Sequence, residues 1–179
     1  MSELLRARDK CSSRREVARL VRRSQRRGER VVFTSGCFDL LHVGHVRSLE
    51  QARSLGDRLI VGVNADARVR ELKGPGRPLV PARQRAEVIA GLACVDGVVT
   101  FGEPTPWRAL ADLAPDIYAK GGDWPLAVLR EQDLPEGFSG EVQRLRQIPG
   151  ARTTLLVDRI RANPASPRRR PTRGDGRRS

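Results

Sequence analysis

A chain of 179 residues with 39% apolar and 31% charged content is long enough for one α/β core and too hydrophobic to be disordered throughout. No run approaches the length of a membrane span and the N-terminus has no apolar leader, so a soluble cytoplasmic protein is expected. The net charge of +13 is uneven: residues 1–30 carry +7, residues 164–179 carry +5 and residues 31–163 only +1, which argues against a nucleic-acid-binding body.

Ser13-Arg14-Arg15-Glu16 has capping-box spacing, and Val17, Leu20 and Val21 follow on one face, so a helix is expected after an extension over 1–12, with Gly28 as its C-cap. Val31-Val32-Phe33-Thr34 is a β-branched apolar run that reads as a buried strand, ended by a turn at Ser35-Gly36-Cys37. A helix from about Gly44 to Leu55 stops at Gly56. Arg58 to Asn64 is apolar as buried parallel strands are, and a helix from Asp66 to Leu72 leads to the loop Lys73-Gly74-Pro75-Gly76-Arg77-Pro78. Pro81 suits the first turn of a helix running to about Ala90. Asp96 to Phe101 is a third strand, Thr105-Pro106 starts another helix, and Pro115 separates it from a strand at Asp116 to Ala119. Lys120-Gly121-Gly122-Asp123 follows, then a short helix near Pro125 to Glu131, a last strand at Glu141 to Ile148, and a helix from Thr153 through Arg161. Residues 163–179, rich in Pro, Gly and Arg, read as a disordered tail whose contacts with nucleic acid are at most weak. Strands alternating with helices predict an α/β fold, a doubly wound parallel sheet in one domain over 13–162, with ligands at the carboxyl ends of the strands.

The chemistry concentrates where the first strand turns into a helix. A strand, a glycine turn and a helix start leave backbone N–H groups pointing outward, which favours an anion. His42 and His45 lie three apart on one helical turn and reach the same anion, while Gly44 lets a ligand approach the backbone. A zinc site is not expected, because the chain has no third histidine and no C-x-x-C spacing. Cys11, Cys37 and Cys94 form an odd set that suits a reducing compartment. There is no P-loop and no G-x-G-x-x-G, so kinase and dehydrogenase readings lack support.

Gly36-Cys37-Phe38-Asp39-Leu40-Leu41-His42-Val43-Gly44-His45 resembles the G-[TC]-F-D-x-x-H-x-G-H signature of the cytidylyltransferase-like nucleotidyltransferases. Leu72 to Pro78, Val95 to Val99, Lys120 to Asp123 and Thr153-Thr154 follow in the order of its heptose-1-phosphate adenylyltransferase branch, so the resemblance spans roughly Arg14 to Arg161. It implies a Rossmann-like fold and transfer of AMP from ATP to a sugar 1-phosphate, with pyrophosphate released, magnesium as the expected metal and a homodimer as a common state. A phosphate nucleophile is already largely ionised near neutrality, its second pKa being about 6, so such a reaction needs positioning and positive charge rather than a strong base. The resemblance makes His42, His45 and Lys73 the catalytic candidates. It places nucleotide contacts at Gly36, Cys37, Phe38, Asp39, His42, Gly44, His45, Lys120, Gly122, Asp123, Thr153 and Thr154, and acceptor contacts at Lys73, Arg77 and Trp124. Asp39 either orients the signature turn or contacts magnesium. The alternatives are a glycerol-3-phosphate-type cytidylyltransferase using CTP, which shares the signature and an Asp-Trp pair like Asp123-Trp124, and a nucleotide-binding module without catalysis. Ser35, Ala82 and Arg152 stand where the branch usually has Asn, Glu and Ser.

Overall fold

The structure is a computed structural model, and it describes residues 6–122, 125–148, 150 and 153–163. A five-stranded parallel sheet has the order β3-β2-β1-β4-β5. The strands are β1 (Val31–Gly36), β2 (Arg58–Asn64), β3 (Gly97–Phe101), β4 (Ile117–Gly121) and β5 (Glu141–Leu145). The helices are α1 (Arg14–Gln25), α2 (Val43–Arg53), α3 (Asp66–Lys73), α4 (Ala82–Ala90), α5 (Trp107–Leu113), α6 (Leu126–Gln132) and α7 (Thr153–Ala162).

The expected capping box forms. The Ser13 side chain accepts from the Glu16 backbone N–H, and the Glu16 carboxylate accepts from the Ser13 backbone, which starts α1. Gly28 is not the C-cap, which is Arg26; it turns the chain two residues later with φ 76°. Pro81 is the N-cap of α4 rather than part of its first turn. Residues ahead of α1 touch the body as well. Cys11 bridges Val98 beside β3, and the Lys10 ammonium donates to the Val95 carbonyl at 2.8 Å.

Alternation along the buried strands sends side chains to two cores, one on each face of the sheet. Val32, Leu59, Val61 and Ile117 pack with Leu49 and Ala52 of α2 and with Ala86 and Ile89 of α4. Val31, Phe33, Ile60 and Tyr118 pack on the opposite face with Val17 and Val21 of α1 and with Leu110 and Leu113 of α5. Helices thus cover both faces, and the sheet is doubly wound. Each fully buried Val, Leu or Ile in these layers contributes about 1.5–3 kcal/mol.

The order of strands locates the site. From β1 the chain winds outward through β2 to the edge strand β3, then crosses back to lay β4 on the other side of β1. The crossovers after β1 and β4 therefore diverge, and a crevice opens at the carboxyl ends of these two strands. No helix among the described residues is long and apolar enough to cross a membrane.

Candidate functional site

The crevice holds a cavity of about 370 Å³. Its floor is the end of β1, Thr34 to Gly36, followed by Cys37 and Phe38; Gly121 and Gly122 enter from β4, and Thr153 and Thr154 from α7. His42 is the N-cap of α2, with extended backbone, and His45 lies one turn on; both line the cavity beside Gly44. Their rings stack with centroids 3.8 Å apart and planes 20° from parallel, and the Phe38 ring meets His45 edge-on at 5.3 Å. Lys73, the last residue of α3, also borders the cavity. The N-termini of α2 and α7 both border this one space, so two sets of helix-end N–H groups favour an anion there.

Local backbone geometry supports the arrangement. Phe38 has φ 48°, a left-handed conformation that costs a residue with a side chain of order 1–3 kcal/mol. Neighbouring contacts hold it. The Asp39 side chain is buried, its Oδ2 accepting from Arg77 Nη1 at 2.6 Å and its Oδ1 from the backbone N–H groups of Leu79 and Val80 at 2.7 and 3.1 Å. Asp39 thereby ties the Gly/Pro loop, and with it Lys73, to the signature turn. On the other side of the turn the guanidinium of Arg85, 1% exposed, donates to the Cys37 carbonyl, to the Val80 and Asn64 carbonyls at 2.8 Å each, and to Asp66 Oδ1 at 2.6 Å. Arg85 was not among the sequence candidates. Its signal was an arginine on the face of α4 that also carries Ala86, Ile89 and Ala90.

Residues 33–164 match the cytidylyltransferase-like family. The chain belongs to that family, and it is a nucleotidyltransferase. The bifunctional protein HldE of Syntrophotalea carbinolica is 49% identical over 136 residues, which is 76% of this chain and 28% of that protein. The HldE of Alkalilimnicola ehrlichii is 48% identical over 149 residues, 83% of this chain and 31% of that protein. The chain thus spans less than a third of the length of the curated relatives it matches. Among solved structures, a lipopolysaccharide core biosynthesis protein from Thermoplasma volcanium GSS1 aligns with a TM-score of 0.61 at 27% identity, covering 68% of this chain and 99% of that one. Pantoate-beta-alanine ligase from Francisella tularensis aligns at 0.55 with 15% identity, covering 78% of this chain and 68% of that one, and shares the fold alone.

The candidate residues of this nucleotidyltransferase fall into four groups. Gly36, Cys37, Phe38, His42, Gly44, His45, Lys73, Gly122, Thr153 and Thr154 line the cavity together. Lys120 does not join them. Alternation along β4 puts it on the same side as Tyr118, where its ammonium lies 3.1 Å from Asp133 Oδ2, an oxygen that also accepts from the Tyr118 hydroxyl at 2.6 Å. Asp39 and Arg77 are engaged with each other at the rim, and both carboxylate oxygens of Asp39 are occupied by the loop, so its contacts support the orienting role over the magnesium role. Asp123, Trp124 and Arg152 lie outside the described residues.

Burial lowers the pKa of His45 to about 4, with the charges of His42 and Lys73 adding to the shift. His42 is also lowered, by burial and by Lys73. At neutral pH both rings are uncharged and Lys73 is close enough for its charge to bear on each. Nδ1 of both histidines is buried without a hydrogen-bond partner among the described residues. Burial raises the Asp39 pKa, but the hydrogen bonds from Arg77, Val80 and Leu79 outweigh it and hold the carboxyl below its ordinary value.

The Asp39 latch has a measurable consequence. Asp39→Asn keeps the shape, removes the charge from a buried ion pair and is expected to loosen the loop by about 1.4 kcal/mol or more. Tryptic cleavage after Lys73 should then speed up at least about tenfold relative to wild type, as local opening sets the rate. Unchanged cleavage would show that the backbone alone holds the loop.

Proposed function

We propose that this nucleotidyltransferase moves AMP from ATP to heptose 1-phosphate, giving ADP-heptose and pyrophosphate. The observation that carries the transfer chemistry is the convergence of His42, His45, Lys73 and the starts of α2 and α7 on one cavity. The choice of ATP and of the heptose is supported by the Leu72 to Pro78 and Lys120 to Asp123 motifs of that branch and by the identity to HldE proteins.

In the proposed reaction an oxygen of the acceptor phosphate attacks the α-phosphorus. The bond from that phosphorus to the bridging oxygen of the β-phosphate breaks, and pyrophosphate leaves with the bonding electrons. No proton has to be removed from an ionised phosphate, so the protein's task is to align the two phosphates and to meet the negative charge that gathers on the α-phosphate oxygens. His42 and His45 donate ring N–H groups to those oxygens. The helix starts supply backbone N–H groups, the Thr153 and Thr154 hydroxyls grip the polyphosphate, and Lys73 offers a point charge between the reacting and leaving phosphates. The signature backbone at Gly36 to Phe38 lies against the phosphates. Among the described residues no three His, Cys, Asp or Glu side chains come together as a metal cage, and both oxygens of Asp39 are engaged by the loop. The described donor set is not a dedicated metal cage; magnesium, expected to arrive on the ATP phosphates, needs few protein ligands, and no step is routed through it.

Pyrophosphate release, measured with ATP or CTP against heptose 1-phosphate or glycerol 3-phosphate, tests the reading. Turnover is expected with ATP and the heptose. Turnover with CTP alone would reassign the nucleotide and favour the glycerol-3-phosphate cytidylyltransferase reading, and none with any pair would reduce the chain to a nucleotide-binding module.

A further inference from the structure

Outside the cavity one buried acid has no part in the proposed chemistry. Asp133 is 7% exposed, and its Oδ2 takes two donors, the Tyr118 hydroxyl at 2.6 Å and the Lys120 ammonium at 3.1 Å. Carboxylates are rarely buried unless paired, and this one sits on a fixed frame. It is the C-cap of α6; Leu129 before it is buried, and Leu134 after it packs on the core face that holds Tyr118. The Lys120 ammonium also lies 5.8 Å from the centre of the Tyr118 ring, within reach of its π face. Burial and then the nearby carboxylate raise the Tyr118 pKa, so the phenol stays protonated and donates.

The cluster stands where β4 runs out of partners. The ladder between β4 and β5 ends at Gly121, opposite Leu145, and the next residue, Gly122, lines the cavity with φ 116°. That conformation is open to glycine and strained for other residues, so the chain is intrinsically loose where the site needs a fixed shape. Gly121 is constrained by space as well: a Cβ there would come within 3.3 Å of the Ser48 hydroxyl of α2. Neither glycine has a side chain to anchor it. The nearest anchor is Lys120, which strand alternation turns to the face of the sheet away from α2. We propose that Asp133 is a positioning residue for the nucleotide: by holding Lys120 on that face, it fixes the backbone of Gly121 and Gly122 where it borders the cavity. The ion pair joins two positions 13 apart, so the intervening segment is closed on itself and carries less entropy before a ligand arrives. This assignment deepens the transferase reading and rests on the binding of a nucleoside triphosphate in that cavity. A lysine that contacted the phosphates itself would instead be restrained by Asp133, and the two roles predict opposite signs when the carboxylate is removed.

Three measurements on the full chain test it: calorimetry with ATP and with CTP, amide hydrogen exchange at Gly121 and Gly122 in the free protein, and single-turnover pyrophosphate release at saturating nucleotide with heptose 1-phosphate. Asp133→Asn and Lys120→Met are each expected to weaken nucleotide binding about tenfold, as the competent arrangement falls to about a tenth of the population, and to speed exchange at both glycines at least as much. The saturated rate should stay within about threefold of wild type, because His42, His45 and Lys73 lie on other segments. Lys120→Arg keeps a partner for Asp133 and should bind as wild type does. The double variant should bind within about twofold of either single one, as expected of two residues acting as a pair. Unchanged or tighter binding in Asp133→Asn would overturn the proposal, since it would show a lysine released to contact the nucleotide directly. Weaker binding in Lys120→Met with unchanged exchange would overturn it in the same way, without any substitution of the buried acid. Lower melting temperatures with wild-type affinity in both variants would also overturn it and leave the pair a prop of the core. A wild type that binds CTP alone would unseat ATP as the nucleotide, with the same losses then expected for CTP; one that binds neither would remove both readings.

Discussion

Replacing His45 with alanine is expected to lower the turnover of pyrophosphate release by about 10²–10³-fold, with ATP affinity changed by less than about tenfold. The split follows from where the ring sits. It is held by stacking on His42 at 3.8 Å and by the edge of Phe38, so it is oriented before any ligand arrives. It is also desolvated, which depresses its pKa to about 4 and makes a hydrogen bond from it stronger than one from an exposed histidine. Such a donor contributes most when charge builds on the α-phosphate and little to ground-state binding, which the helix starts and Lys73 share. Single-turnover rates beside calorimetric ATP affinities check this; a loss smaller than tenfold would take His45 out of the chemistry. The same depressed pKa sets a stability slope. Between pH 6.5 and about 4 the unfolded chain takes up a proton at this position and the folded chain does not, so stability falls as pH falls through that window, by up to about 3 kcal/mol. Urea unfolding at pH 7 and pH 4.5 should show the loss, and His45→Gln should flatten it.

The parts of this molecule legible in the sequence are those governed by local rules. The capping box at Ser13 and the buried run at Val31 each depend on neighbours within a few residues and form where expected, while the turn expected at Ser35 comes two residues later because Ser35 and Gly36 still pair with β2. The last strand shows the limit. Glu141 to Ile148 reads as strand to its end, yet β5 stops at Leu145, because its pairing partner β4 ends at Gly121, directly opposite. Beyond that point the Gln51 side chain substitutes for a strand neighbour, accepting from the Arg146 backbone at 3.0 Å. Lys120 shows a different limit: its motif suggests a nucleotide contact, whereas alternation along β4 sends its side chain toward Asp133. The pairing of Asp39 with Arg77 spans 38 positions, and that of Arg85 with Cys37 spans 48; no local spacing encodes such contacts. What the sequence does carry is one cost that demands such contacts, a charge on the apolar face of α4; the left-handed Phe38 shows only in the structure.

Arg85→Met is expected to destabilise the domain by about 3–5 kcal/mol, because it leaves buried acceptors without donors. Methionine fills much of the space of the arginine stem, so the loss measures the guanidinium rather than a cavity. The Asp66 carboxylate would lose its 2.6 Å partner, and the carbonyls of Asn64, Val80 and Cys37 would lose theirs. At about 2–4 °C per kcal/mol for a chain of this size, the melting temperature should fall by roughly 6–20 °C. Arg85→Lys separates stability from chemistry. A lysine keeps the buried charge and can still reach Asp66, but an ammonium cannot fork to four acceptors on three different segments. The Cys37 carbonyl, the contact farthest along the chain, is the one most exposed to loss, and with it goes the restraint on the strained turn that aims Phe38 at His45. The lysine variant should therefore melt closer to wild type than the methionine variant, yet turn over at least about tenfold more slowly, since a misplacement of an ångström at a positioned donor carries a cost of that order or more. A lysine variant with wild-type turnover would mean that the turn is set by its own sequence and by the Asp39 latch, and that Arg85 serves only the core.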